Sequence, residues 1–157
     1  MSEVTKNLKI CFAASSGGHL EQLLMLKPLM LEYDSFILTE KTKYVSSFPV
    51  EVAYVPQVNR NERSFLPRMI ANAAKSLVIY ARKRPDVVVC TGVLATVPFC
   101  LIAKAMGSKL VYIESFAKTD SPTVTGKFLH KHADRFYVQW PSMLDVYPDA
   151  RCVGGVY

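Results

Sequence analysis

Leu8-Lys9-Ile10-Cys11-Phe12-Ala13-Ala14-Ser15-Ser16-Gly17-Gly18-His19 sets the reading of this chain. The apolar run over 8–14 reads as a buried strand, and 15–19 as a tight polar loop. Leucines at 20, 23 and 24, with Lys27 at the margin, then mark a helical stripe predicted over 20–31. Strand, glycine loop and helix in that order begin a β-α-β unit. The pattern recurs outward. Strands are predicted at 35–39 and 50–55, followed by a polar loop over 57–62. Ser64 reads as a helix cap with Pro67 in the first turn, and that helix stops ahead of Pro85. An apolar strand at 87–90 leads to a helix over 94–106 closed by Gly107. A strand at 110–113 ends in Glu114; a helix over 123–132, a strand at 136–138, a short helix at 142–146 and a strand at 152–153 complete the chain. Strands alternating with helices imply an α/β domain with a Rossmann-like parallel sheet, one domain over 1–157.

Composition agrees. The chain has 157 residues, 50% hydrophobic and 20% charged, with a net charge of +6. That length suits one domain with a real core, and the apolar fraction excludes disorder. Residues 1–7 are polar and carry no signal-peptide pattern, so a cytoplasmic chain is expected. The four cysteines form no C-x-x-C pair and read as reduced thiols. The charge-free stretch over 87–103 is broken by Thr91-Gly92 and Pro98, so it reads as strand, turn and buried helix rather than a membrane span.

In an open parallel sheet, ligands bind at the carboxyl ends of the strands. Three ends carry polar residues: Ser15-Ser16-Gly17-Gly18-His19, Thr91-Gly92 and Glu114-Ser115-Phe116. The first opens a helix, whose free amides and dipole favour an anion such as a phosphate, and its glycines permit close approach. It is neither G-x-G-x-x-G nor a P-loop. His19 suits a base or a donor to a phosphate or sugar hydroxyl. Glu114 is expected to point into the cleft, where a carboxylate could take a proton or hold sugar hydroxyls. His130 and His132 lie two apart and face different ways, so no metal site is expected.

The helix starting near residue 65 is predicted to turn Leu66, Met69, Ile70, Ala73, Ala74, Leu77, Val78 and Ala81 to the core. Arg68, Lys75 and Arg82 then recur on the opposite side with Ile79, a basic and apolar face suited to an anionic membrane surface. No nucleic-acid motif accompanies the positive charge.

Taken together, Ser15-Ser16-Gly17-Gly18-His19, Asn59-Arg60-Asn61, Lys83-Arg84-Pro85-Asp86, Thr91-Gly92, Tyr112-Ile113-Glu114-Ser115-Phe116, Val138-Gln139-Trp140 and Gly154-Gly155-Val156-Tyr157 resemble one family. It comprises bacterial capsule and exopolysaccharide proteins similar to the membrane-anchoring subunit of the bipartite N-acetylglucosaminyltransferase of the dolichol pathway. Similar proteins partner a β-1,4-galactosyltransferase or a glucuronosyltransferase. The resemblance implies the N-terminal half of a GT-B glycosyltransferase. It implies a second subunit carrying the C-terminal, UDP-sugar-binding domain, and a polyprenyl-diphosphate-linked sugar as acceptor. It also implies a peripheral place on the cytoplasmic face of the inner membrane, and no cofactor. By that resemblance Gly17, Gly18 and His19 match the glycine-rich acceptor loop. Ser15, Ser16, Asn59, Arg60, Asn61, Thr91, Gly92, Ser115 and Phe116 are expected as substrate or phosphate contacts. His19 or Glu114 would serve as the base, or would only orient substrate. Two rivals stand beside this reading. One is a free-standing nucleotide-binding domain with Glu40 on a ribose. The other is a structural enhancer that recruits a complete transferase.

Overall fold

The computed structural model describes residues 7–41, 47–92 and 94–157. The polar leader read over 1–7 lies outside the described residues except for Asn7. Seven strands form one sheet: β1 (Lys9–Ala13), β2 (Asp34–Glu40), β3 (Glu51–Val55), β4 (Val87–Cys90), β5 (Lys109–Ile113), β6 (Arg135–Val138) and β7 (Arg151–Cys152). Their spatial order is β3-β2-β1-β4-β5-β6-β7, and every neighbouring pair is parallel. The described helices are α1 (Gly18–Leu24), α2 (Lys27–Glu32), α3 (Phe65–Lys83), α4 (Val97–Ala105) and α5 (Val124–Leu129), with 3-10 turns at Leu94–Thr96 and Pro141–Leu144.

Period-two alternation divides β1 between the two faces of the sheet. Ile10 and Phe12 pack with Leu20, Leu23 and Met30 beneath α1 and α2. Cys11 and Ala13 pack into the larger core with Ile79, Tyr80, Phe99 and Tyr112, under α3 and α4. Both faces of the central strands are covered, which is why β1 and β4 are nearly continuous in apolar residues. All four cysteines are free thiols, and those at 11, 90 and 100 are buried.

Two sequence expectations are corrected here. The helix expected over 20–31 is broken into α1 and α2 at Met25 and Leu26. Pro28 is the cause: it has no amide to donate, and its ring would clash with the carbonyl four residues back. Ser64 holds the cap position of α3, but its hydroxyl does not cap the helix; it bonds to Glu62 instead, at 3.2 Å.

The larger correction concerns the phase of α3. Its buried residues are Asn72, Ser76, Ile79 and Tyr80. Ile79, expected on a membrane face, is only 7% exposed and belongs to the core. Leu66 and Ile70, expected in the core, are 66% and 64% exposed, with Leu77 and Val78 also outside. The polar inner face is possible because its groups are satisfied, and a satisfied buried polar group avoids most of its desolvation cost. Asn72 Nδ2 donates to the Pro56 carbonyl at 2.9 Å, Ser76 Oγ donates to Asn72 Oδ1 at 3.2 Å, and the Tyr80 hydroxyl meets Ser108 Oγ at 3.1 Å. The outward face therefore carries an apolar stripe beside exposed Arg68, Lys75 and Arg82. Among the described residues no helix is long and apolar enough to cross a membrane.

Candidate functional site

Because all strands run the same way, their carboxyl ends share one edge of the sheet. The chain passes from β1 outward to β2 and β3, then returns to the other flank of β1 with β4. The β1–β4 boundary is the topological switch point, where α/β folds open a crevice. The loop after β1 enters that crevice, tied by the Ser15 amide to the Gly92 carbonyl at 3.3 Å and by the Thr91 amide to the Ala13 carbonyl at 3.1 Å.

Gly17 turns the chain at φ 90°, ψ −151°, a conformation that side-chain-bearing residues avoid. The amides of Leu20 and Glu21 then close back onto its carbonyl. Gly17 and Gly18 are both exposed, and no atom lies within 4 Å of where a Cβ would project from either. The loop thus presents bare backbone to solvent, as close approach by a phosphate or sugar requires.

His19 is the fixed side chain of this edge. Its Nδ1 lies 2.9 Å from the Thr91 carbonyl, which can only accept, so Nδ1 carries a proton and in the neutral ring the lone pair falls to Nε2. Thr91 Oγ1 donates to the His19 carbonyl at 2.9 Å. Gly92 adopts φ 115°, and a Cβ there would come within 3.3 Å of the imidazole. Thr91 and Gly92, expected as substrate contacts, are buried and instead form the bed on which His19 rests.

Two clefts flank the glycine loop. One, of 460 Å³, is lined by Gly18, His19, Gln22, Ser115, Phe116, Ala117 and Tyr157. Phe116 sits 4.9 Å from the Trp140 ring and 5.0 Å from the Tyr157 ring, giving an aromatic wall opposite the histidine. Two buried amides set that wall. Gln22 accepts from the Phe116 amide at 3.0 Å, and Gln139 donates to the Glu114 carbonyl at 2.9 Å while accepting from Val156 at 3.0 Å. Trp140 Nε1 donates to the Phe116 carbonyl at 2.7 Å. Gln22 was not legible as a site residue, because a glutamine inside a helix carries no sequence signal.

Glu114 is a correction. It is 1% exposed and turned away from the cleft. Its Oε1 accepts from the Ser115 amide at 2.9 Å and from Thr123 Oγ1 at 2.8 Å; Oε2 accepts from the Thr123 amide and the Tyr147 hydroxyl, both at 3.2 Å. Thr123 caps α5 through the Gly126 amide at 2.9 Å, so Glu114 ties the end of β5 to the start of that helix. With both oxygens taken up by protein donors and the side chain 1% exposed, it serves as a tie within the fold and is not presented to the cleft. Burial beside this carboxylate pushes the Tyr112 and Tyr147 phenols up, away from ionisation.

The second cleft, of 570 Å³, is lined by Ser15, Ser16, Glu40, Gln57, Val58, Asn59, Arg60, Asn61 and Leu94. Asn59 Oδ1 accepts from the Asn61 amide at 3.1 Å, a local turn that presents 59–61 at the rim. Among the described residues no cluster of His, Cys, Asp and Glu is arranged to hold a metal.

Comparisons with known proteins bear on this geometry. A family model described as "Oligosaccharide biosynthesis protein Alg14 like" matches residues 39–156. The UDP-N-acetylglucosamine transferase subunit ALG14 of Mus musculus is 32% identical, over 96% of this chain and 84% of its own length. The protein of that name from Yarrowia lipolytica is 28% identical, over 94% of this chain and 81% of its own length. Among solved structures, MurG of Acinetobacter baumannii superposes with a TM-score of 0.69 at 15% identity, over 86% of this chain and 42% of its own. The Staphylococcus aureus MnaA–UDP structure gives 0.63 at 12% identity, over 95% and 44%. At those identities the likeness shows the fold, and the chain spans less than half the length of either solved protein.

Proposed function

This chain belongs to the Alg14-like family of oligosaccharide biosynthesis proteins, and from that premise we propose that it is the acceptor-side subunit of a two-chain inverting glycosyltransferase. A partner chain carries the UDP-sugar site. The acceptor is a sugar linked to a polyprenyl diphosphate, in capsule or exopolysaccharide synthesis. The relatives that match over most of their length are themselves named as subunits of a transferase, which supports a partnered role. The observation that carries the proposal is His19 held through Nδ1 by Thr91, with no Nε2 partner among the described residues, beside two glycines whose backbone stands open at the switch point.

In this reading the acceptor's diphosphate lies against Gly17 and Gly18, and a sugar hydroxyl lies against His19 Nε2. The hydroxyl oxygen bonds to the anomeric carbon of the donor as the bond from that carbon to the diphosphate breaks. The hydroxyl proton passes to Nε2, and the electron pair of the broken bond leaves with UDP. A sugar hydroxyl is a poor nucleophile, so a positioned base contributes about 10²–10⁴ in rate. The test is reconstitution. Neither chain alone should transfer sugar, and the mixture should. Full transfer by the partner alone would overturn the two-chain reading.

A second reading, a structural enhancer that brings a transferase to the membrane, draws on the outer face of α3. Leu66, Ile70, Leu77 and Val78 stand in water beside Arg68, Lys75 and Arg82. Burying one such side chain is worth roughly 1.5–3 kcal/mol, which favours contact with an apolar phase, and the basic edge favours anionic headgroups. Ile70→Asp with Leu77→Asp should abolish sedimentation with phosphatidylglycerol vesicles while leaving the fold intact. Unchanged sedimentation would remove the membrane role of this face.

A further inference from the structure

The chain has a second strand-end glutamate that the His19 chemistry leaves unused. Glu40 closes β2 and is 6% exposed, yet it lines the 570 Å³ cleft on the other side of the glycine loop from the aromatic one. Within the protein it takes a 3.4 Å bond from Ser16 Oγ and one from the Val58 amide. A carboxylate offers about four lone-pair positions, so acceptor capacity remains toward the cleft. Among the described residues no cation forms an ion pair with it. Burial raises its pKa, against the opposing pull of those two bonds.

The surroundings select the ligand. The facing wall is Gln57, Asn59, Arg60 and Asn61, whose side chains supply amide donors and acceptors and one guanidinium. A carboxylate at the floor disfavours a phosphate there, and a single carboxylate without other acidic ligands is poor for a divalent cation. What satisfies a buried acceptor without adding charge is a donor O–H, and a neutral sugar offers several on adjacent carbons. Ser16 links this cleft to the bare backbone of Gly17.

We infer that Glu40 and the 57–61 loop form a sugar subsite, binding the hydroxyls of a neutral pyranose of the acceptor other than the ring whose hydroxyl meets His19. The substrate class rests on the acceptor-side reading above. Glu40 is assigned as a binding residue, with proton transfer left to His19. The subsite makes the β2–β3 edge the place where this chain discriminates between acceptor sugars, independently of donor choice by the partner.

The test is an amide-shift titration of the full chain with methyl β-D-glucopyranoside and, separately, with inorganic pyrophosphate. Expected is a saturable shift at Ser16, Glu40 and Val58–Asn61 with the glucoside, and a shift centred on Gly17–His19 with pyrophosphate. Glu40→Gln should weaken the glucoside roughly tenfold and leave pyrophosphate unaffected. A shift at 57–61 with pyrophosphate alone would overturn the inference in favour of an anion site on Arg60. No shift there with either probe, or equal glucoside affinity in Glu40→Gln, would also overturn it. Mapping on the unmodified chain keeps the outcome decisive if the variant fails to fold. Neither partner nor donor is present, so a failed reconstitution of transfer and a failed sugar titration are separate results.

Discussion

At the end of β5, Glu114 is met by donors from Ser115, Thr123 and Tyr147, and its carboxylate has nothing left to offer a ligand. At the end of β2, Glu40 is almost as deeply buried, but among the described residues its donors are the Ser16 hydroxyl and the Val58 amide, and it faces a polar cleft. Both stand where an apolar strand stops at the ligand edge of the sheet. The difference lies in what packs against them. The end of β5 runs beneath the capped start of α5, whereas the end of β2 faces the 57–61 loop. A buried carboxylate at this edge is a structural tie where neighbouring elements supply its donors, and a binding group where they do not.

That contrast can be broken by mutation, beginning with the end that should be rigid. A Cβ on Gly126 would stand 2.1 Å from Glu114 Oε2. Gly126→Ala should therefore cost roughly 3 kcal/mol or more in urea unfolding. Glu114→Gln should cost about 2–3 kcal/mol, because an amide donor replaces an acceptor among fixed donors. A neutral result for either would mean that the β5 end is not a tie.

The glycine loop between the two clefts comes next. Gly17→Ala should lose about 1–3 kcal/mol, since its backbone conformation excludes a side chain. Gly18→Ala should leave stability within about 0.5 kcal/mol, because its Cβ would project into open space. Yet the same methyl stands on the surface proposed for the diphosphate, so transfer by the two-chain enzyme should fall. Retained transfer in Gly18→Ala would separate the loop from the substrate.

The smallest effect belongs to Glu40. Its raised pKa means that ionisation costs the folded chain stability. That cost is absent below the unfolded carboxylate pKa of about 4.3 and grows as pH rises through the folded value. Glu40→Gln removes it. The variant should therefore be more stable than the parent at neutral pH, by a margin that shrinks as pH falls toward about 4. A variant less stable at neutral pH would make Glu40 a tie like Glu114.

The order of strands and helices was legible because β1, β4 and β5 are apolar runs of strand length bounded by glycine, proline and polar loops. The glycine loop and His19 were legible from their place after the first strand. The side on which a strand-end residue falls was not. Glu114 and Glu40 look alike in sequence, and only packing tells them apart. Thr91 looks like a ligand contact in sequence, because a polar residue after an apolar strand gives no sign that it will turn inward to hold a histidine. The phase of α3 differs from expectation for a related reason. Its most apolar stripe points to the core on periodicity alone, whereas Asn72, Ser76 and Tyr80 find specific partners inside. Hydrophobic periodicity finds the amphipathic axis of a helix, but it cannot tell which face has the better neighbours.

The central claim is that His19, held by the Thr91 carbonyl with no Nε2 partner among the described residues, acts on the acceptor hydroxyl. It is tested most directly by measuring sugar transfer from a UDP-sugar in the reconstituted pair with His19→Gln, alongside the amount of complex formed. Expected is intact complex with transfer reduced about 10²–10⁴-fold. Intact complex with undiminished transfer would contradict the claim and leave this chain as a scaffold.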